Sequence, residues 1–206
     1  MIPGVVLTGG ASSRMGHRPK ALLPTERDNQ TFLHRIVSAL RDGGVDDVVV
    51  VTGYHHDAIV EAVEQARLPV RVVRNPDPRR GQLSSLQSAL NVVDHPGVQA
   101  MLVTLIDLPL LSPSTVRAVL ETYRATGACL VRPARKQRHG HPVVFDRRLF
   151  DELRQADPEQ GAKPVVRAHA AEGCEVVVDD DGAFSDVDTP EDYRRVFGRP
   201  PPQGDD

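Results

Sequence analysis

Short apolar runs alternate along this chain with longer stretches in which apolar residues recur every three or four positions. Strands show a period of two, or an unbroken apolar run where both faces are covered, whereas amphipathic helices repeat near 3.6. The pattern predicts strands over residues 5–7, 48–52, 70–73, 100–106, 128–131, 142–145 and 174–178, with 100–106 the most continuously apolar. Between them it predicts helices over 31–41, 56–66, 82–93, 113–126, 147–155, 162–170 and 190–197. Ser112-Pro113 and Thr189-Pro190 each put a capping hydroxyl before a first-turn proline, which marks two helix starts sharply. Alternating strands and helices make β-α-β units. The expected fold is therefore α/β: one Rossmann-like, doubly wound, mostly parallel sheet with helices on both faces. One domain is expected over residues 1–198, followed by a flexible tail at 199–206 that carries Pro200, Pro201 and Pro202.

Composition narrows the partners. A formal net charge of −3 gives no overall attraction for nucleic acid or acidic lipid. Aromatic residues are 4% of the chain and Trp is absent, so stacking platforms for single-stranded nucleic acid are not expected. No apolar run approaches the ~20 residues needed to cross a bilayer, and no charged-then-apolar leader opens the chain, so the expected address is cytoplasmic. Cys129 and Cys174 lie outside any C-x-x-C spacing and read as reduced thiols.

Ligands of open α/β sheets bind beyond the carboxyl ends of the strands, so the segment after the first strand comes first. It reads Leu7-Thr8-Gly9-Gly10-Ala11-Ser12-Ser13-Arg14-Met15-Gly16-His17-Arg18-Pro19-Lys20-Ala21-Leu22-Leu23-Pro24. Glycines and small residues let backbone N–H groups approach a polyphosphate, and Arg14, Arg18 and Lys20 supply charge for its oxygens. Five residues separate Gly10 from Gly16 and His17 follows, so this is not a Walker loop; no Gly-x-Gly starts here, so it is not a dinucleotide fingerprint. A bound polyphosphate calls for a divalent ion to neutralise its charge, and magnesium takes one or two carboxylates with water and phosphate oxygens. Asp107 ends the most apolar strand at the ligand edge and is a candidate for that ion. In Asp186-Val187-Asp188-Thr189-Pro190-Glu191-Asp192, alternation places Asp186 and Asp188 on one side and Thr189 at a helix cap. The run Asp179-Asp180-Asp181 reads as a solvated turn, and His55-His56-Asp57 as helix capping rather than a transition-metal site.

The loop from Leu7 to Pro24 resembles the signature of NTP transferases that attach a nucleotide to the molybdenum cofactor, a family with the nucleotide-diphospho-sugar transferase-like fold. The likeness spans residues 5–193 and is most specific in Arg14-Met15-Gly16, Lys20 and Leu22-Leu23. It implies a nucleotide site built from Leu7, Thr8, Gly9, Gly10, Arg14 and Lys20, with both glycines near the base and both cations on the phosphates. Lys20, Arg14 and Asp107 are then the catalytic set. The segment 186–192 resembles the family's acidic motif, which carries the second metal role to Asp188 and leaves Asp186 secondary. Asn75, with Gly81 and Ser84-Ser85 after it, resembles a nucleotide-side motif; from the residues alone, either serine caps a helix or donates to a ligand. Gly140-His141-Pro142-Val143 resembles a segment of the cytidylyl-transferring members and gives His141 an acceptor-side role. Gly161-Ala162-Lys163-Pro164 resembles a further basic segment, with Glu159 and Gln160 in place of its acid and glycine.

The implied reaction is attack by the terminal phosphate of molybdopterin on the α-phosphorus of an NTP, with Mg2+ as cofactor and pyrophosphate as leaving group. Gly9-Gly10 is guanylyl-like, whereas Gly140-His141-Pro142 and 186–192 are cytidylyl-like, so CTP is favoured over GTP. The implied recipient of the product is a molybdenum hydroxylase or its maturation chaperone. Sugar-phosphate-type nucleotidyltransferases remain an alternative acceptor class. An alternative of another kind is a non-catalytic module that hands over the cofactor, against which stands the joint presence of Lys20, Asp107 and Asp188.

Overall fold

Neighbouring valines of the central strands face opposite ways, into two separate cores. In the computed structural model, which describes residues 1–25 and 30–202, the strands are β1 (Gly4–Leu7), β2 (Val48–Thr52), β3 (Arg71–Arg74), β4 (Ala100–Leu105), β5 (Leu130–Arg135), β6 (Arg138–His139), β7 (Val143–Asp146) and β8 (Cys174–Val177). The helices are α1 (Phe32–Asp42), α2 (His56–Gln65), α3 (Gln82–Val93), α4 (Pro113–Thr126), α5 (Phe150–Gln155), α6 (Lys163–Ala168) and α7 (Pro190–Phe197). One sheet takes the order β3-β2-β1-β4-β7-β5-β6, with β8 also on β5. On one face Val6, Val48 and Val50 meet Ile36 and Leu40 of α1, Ile59 of α2 and Val116 of α4. On the other, Val5, Val49 and Val51 meet Leu86 and Leu90 of α3, Leu153 of α5 and Val165 of α6. Helices thus cover both faces, the doubly wound arrangement.

The strands β3, β2, β1 and β4 pair in parallel, and β8 runs parallel to β5. The β7 strand enters antiparallel to both β4 and β5. Antiparallel β5–β6 pairing makes a hairpin that the apolar pattern, ending at 131, did not predict. Past Val131 the strand continues through Arg132 and Pro133, where apolar runs stop but register with β8 persists. The outer strand β3 starts at Arg71, whose guanidinium grips Asp47 with nitrogen–oxygen distances of 3.0 and 2.6 Å.

Both expected caps form. Ser112 accepts from Ser114 N at the start of α4, and Thr189 and Asp192 make a reciprocal capping box at the start of α7. A third apolar cluster joins α7 to the loop after β1: Tyr193 and Phe197 pack with Phe32, Met15 and Leu23, and Tyr193 donates to Pro24 O at 2.5 Å. That cluster holds residues 186–189 over the carboxyl ends of β1 and β4. The tail expected from residue 199 falls half on 203–206, outside the described residues; Arg199 donates to Thr25 O at 3.0 Å. Among the described residues, no helix is long and apolar enough to cross a membrane.

Candidate active site

The loop after β1 is shaped by backbone bonds and one apolar anchor. Met15 N and His17 N both donate to Ser12 O, which folds 13–15 into a single 3-10 turn. Ser12 sits at φ 51°, left-handed, while Met15 is buried and Arg14 beside it points outward. A second 3-10 turn, Lys20–Leu22, follows Pro19; Ala21 and Leu23 are buried, so Lys20 is anchored from its C-terminal side. Its side chain is only 11% exposed, and it aims into a cavity of about 260 Å3 lined by Gly10, Ser12, Arg14, Asp107 and Asp188 among others.

The expected cations and acids therefore meet at one place. Lys20 Nζ donates to Asp188 Oδ1, and Arg14 Nη1 lies 2.7 Å from Asp188 Oδ2. Asp188 is thus neutralised from two sides. Asp107 is held differently: its backbone carbonyl accepts from Val187 N at 2.8 Å, while its Oδ1 is buried with no protein partner. Burial pushes its carboxyl up to about 6, against the pull of Lys20 and with a further push from Asp186 and Asp188. Asp186 is raised as well, chiefly by burial and then by Asp188.

Beside this cavity lies a second one of about 170 Å3, lined by Gly9, Gly10, Tyr54, Pro78, Gly81, Gln82 and Ser85 among others. Gly53 packs tightly against one of its lining residues: a Cβ there would sit 2.4 Å from Gly9 O. The Asn75–serine motif divides here. Ser85 faces the cavity. Buried Asn75 donates to Ser84 Oγ at 2.8 Å and Ser85 Oγ at 3.0 Å, and Ser84 donates to Gly81 O at 2.7 Å. Asn75 and Ser84 are therefore the scaffold behind the wall. Leu7 lines both cavities; Thr8 lines the first, and its hydroxyl donates to Val51 O at 2.9 Å.

On the far side of Arg14 and Asp188 opens a shallower trough lined by Arg138, Ser185, Asp186 and Arg195. His141 lines neither cavity nor this trough among its described walls. Its backbone N–H donates to Ala183 O at 3.0 Å, and burial pushes its imidazole down to about 4, so it is neutral at pH 7. Lys163 opens α6, away from both cavities.

The MobA-like NTP transferase domain model matches residues 4–174, most of the chain. The chain belongs to this family. Among curated relatives, nicotine blue oxidoreductase of Paenarthrobacter nicotinovorans is 31% identical over 95% of this chain and 96% of its own. A probable molybdenum cofactor guanylyltransferase of Mycobacterium avium is 25% identical over 95% of this chain and 94% of its own. Among solved structures, Rv0371c from Mycobacterium tuberculosis H37Rv superposes with a TM-score of 0.80 at 30% identity, covering 97% of this chain and 99% of that one. A complex of Rv0371c with manganese gives a TM-score of 0.75 at 28% identity, covering 96% and 98%.

Membership makes this a protein of nucleotidyltransferase type, and the site has members that the motif reading passed over. Tyr54, 50% exposed and two residues past β2, lines the second cavity. His55 lines the first, and its Nε2 is buried without a partner. The capping expected of the 55–57 cluster does not form: α2 has no side-chain cap bond from His55, and the His56 ring instead meets Thr52 Oγ1 at 2.7 Å. Arg138 and Arg195 lay in segments read for other features, and only the fold brings them beside Asp186.

Proposed function

We propose that this chain is a cytoplasmic, Mg2+-dependent nucleotidyltransferase that moves an NMP from an NTP, with CTP favoured, onto the terminal phosphate of molybdopterin. The observation that carries this reading is the convergence of Lys20, Arg14, Asp107 and Asp188 on one cavity beside a separate, glycine-walled one. In it, the triphosphate lies along Gly10 to Lys20, with the base between Gly9, Tyr54 and Ser85. An acceptor-phosphate oxygen forms the new bond to the α-phosphorus, the α–β anhydride bond breaks, and pyrophosphate leaves. Both phosphates are already ionised, so no side-chain nucleophile is needed. Lys20 and Arg14 leave Asp188 for phosphate oxygens as the triphosphate enters; one such cation ~4 Å from a phosphate charge contributes ~4 kcal/mol at an effective dielectric of ~20.

Asp107 and Asp188 offer an all-oxygen donor set, and the unpartnered buried Oδ1 of Asp107 suits a hard cation. When bound there, Mg2+ supplies charge neutralisation and orientation of the phosphates. In this reading the trough beyond Arg14 and Asp188 is the acceptor's entrance, Arg138 and Arg195 on its walls would meet the anionic molybdopterin phosphate, and the product would pass to a molybdenum hydroxylase or its maturation chaperone. GTP is the competing base, favoured by Gly9-Gly10 and by the name of the guanylyltransferase relative. The test incubates the protein with Mg2+, molybdopterin and each NTP in turn and follows pyrophosphate. CTP-dependent release that falls at least ~100-fold in folded Asp107→Asn is expected. Equal release from GTP reassigns the base, and release only with sugar phosphates reassigns the acceptor.

A second reading rests on the name of the oxidoreductase relative: the same cavities would serve a redox reaction instead. NADH oxidation by the protein with a dye acceptor, independent of NTP and unaffected by Asp107→Asn, would favour it.

A further inference from the structure

At the opposite edge of the sheet, three metal-ligating side chains meet with no role in the nucleotide site. Cys129 immediately precedes β5, and its carbonyl accepts from Asp146 N at 2.9 Å. Asp146 in turn pairs with Ala100, the first residue of β4. Cys129 therefore lies level with the start of the strand whose end carries Asp107, a full six-residue strand or ~20 Å away. His169 terminates α6, and Glu172 ends the 3-10 turn that follows. One ligand atom from each of Cys129, His169 and Glu172 lies within 4.8 Å of the other two.

The surroundings of His169 arrange its two ring nitrogens differently. Nε2 lies 2.6 Å from Glu152 Oε2, on α5; a carboxylate can only accept, so Nε2 is the donor there and Nδ1 is the nitrogen left to face a ligand. Nδ1 is buried without a hydrogen-bond partner, 3.8 Å from Glu172 Oε1. A carboxylate behind the imidazole is how proteins orient a histidine ligand and strengthen it as a donor. Cys129 Sγ is buried and makes only a long contact, 3.8 Å, to His169 O. We propose that Cys129, His169 and Glu172 form a site for a zinc-class divalent cation, with Glu152 as the positioning residue and water in the fourth place. A thiol, an imidazole and one carboxylate select a borderline-soft tetrahedral ion rather than Mg2+. On binding, the metal–sulfur bond replaces the thiol proton, which passes to water. The ion would pin the 170–172 turn and α6 to the start of β5, leaving the nucleotide cavities untouched.

Cobalt(II) titration of the full chain, reduced and stripped with chelator, tests this. One equivalent per chain should raise a thiolate-to-cobalt charge-transfer band that zinc abolishes. The band should vanish in Cys129→Ser and persist in Cys174→Ser and Asp107→Asn. Glu172→Gln, at an exposed position, should weaken cobalt without disturbing the fold. Glu152→Gln should weaken it by ~10- to 100-fold yet still give the full band at saturation. Absence of any thiolate band, a band that survives Cys129→Ser, or one lost in Asp107→Asn would overturn the proposal.

Discussion

Asp94 and Asp107 stand near opposite ends of β4 and are treated in opposite ways. Asp94 closes α3 before the amino end, with Arg147 at 2.8 Å and Arg154 at 2.5 Å. The bond from Arg154 holds its carboxyl below the ordinary range, outweighing burial. Asp94 Oδ1 makes no hydrogen bond but has the Arg147 ion pair; Asp107 Oδ1, buried past the carboxyl end, has neither, and the Asp107 carboxyl is pushed up to about 6. One acid is matched to protein cations and stabilises the fold. The other is kept short of partners at an edge where Lys20 and Arg14 are already turned on Asp188. Perturbed groups of this second kind mark sites that await a ligand's charge.

The contrast breaks first at Lys20. If the proposed reaction holds, Lys20→Ala should cost turnover ~100-fold and NTP affinity clearly less, because the charge it supplies would matter most as pyrophosphate leaves. Lys20→Arg should restore binding better than rate. Steady-state kinetics with direct nucleotide titration separates the two; equal loss in both would make Lys20 a ground-state binder only. At the other end, Asp94→Asn should lower stability by ~1–2 kcal/mol and leave turnover per folded molecule unchanged. Urea unfolding beside the pyrophosphate assay checks this, and a turnover loss would mean that the amino edge also serves the site.

A smaller effect tests the second cavity as the proposed place of the base. A Cβ at Gly9 would lie 2.6 Å from Ser85 Oγ, so Gly9→Ala must displace the hydroxyl that Asn75 holds. The ratio of CTP to GTP use should rise, by no more than ~10-fold, since a purine needs more of that width. Competition between the two nucleotides measures it; an unchanged ratio places base selection beyond Ser85, at Tyr54 or Gln82.

Much of the carboxyl edge was legible in the residues because its signals are local. The glycine loop, an acid after a continuous apolar strand, and two hydroxyl–proline caps each reveal themselves within a few positions. Asp188's partners were not legible, since they depend on α7 docking through Tyr193 and Phe197 onto Phe32, a contact between distant segments. The β5–β6 hairpin was hidden because Arg132 and Pro133 break the apolar run that β8 pairing sustains. Asn75 looked like a ligand residue because its motif is the same whether its amide faces a nucleotide or, as here, two serines.

The central claim is that the fold holds Asp107 ionised at a cost, and it is most directly measured as stability against pH in metal-free protein. A carboxyl raised from near 3.8 to about 6 binds its proton more tightly when folded, so its contribution is full below pH 4 and is lost as pH rises through 6. Asp107→Asn should therefore match the parent near pH 4 and exceed it by ~2 kcal/mol at pH 7, a gap that added Mg2+ narrows by stabilising the parent alone. An Asp107→Asn protein less stable than the parent at pH 7, with Mg2+ without effect on either, would contradict the account.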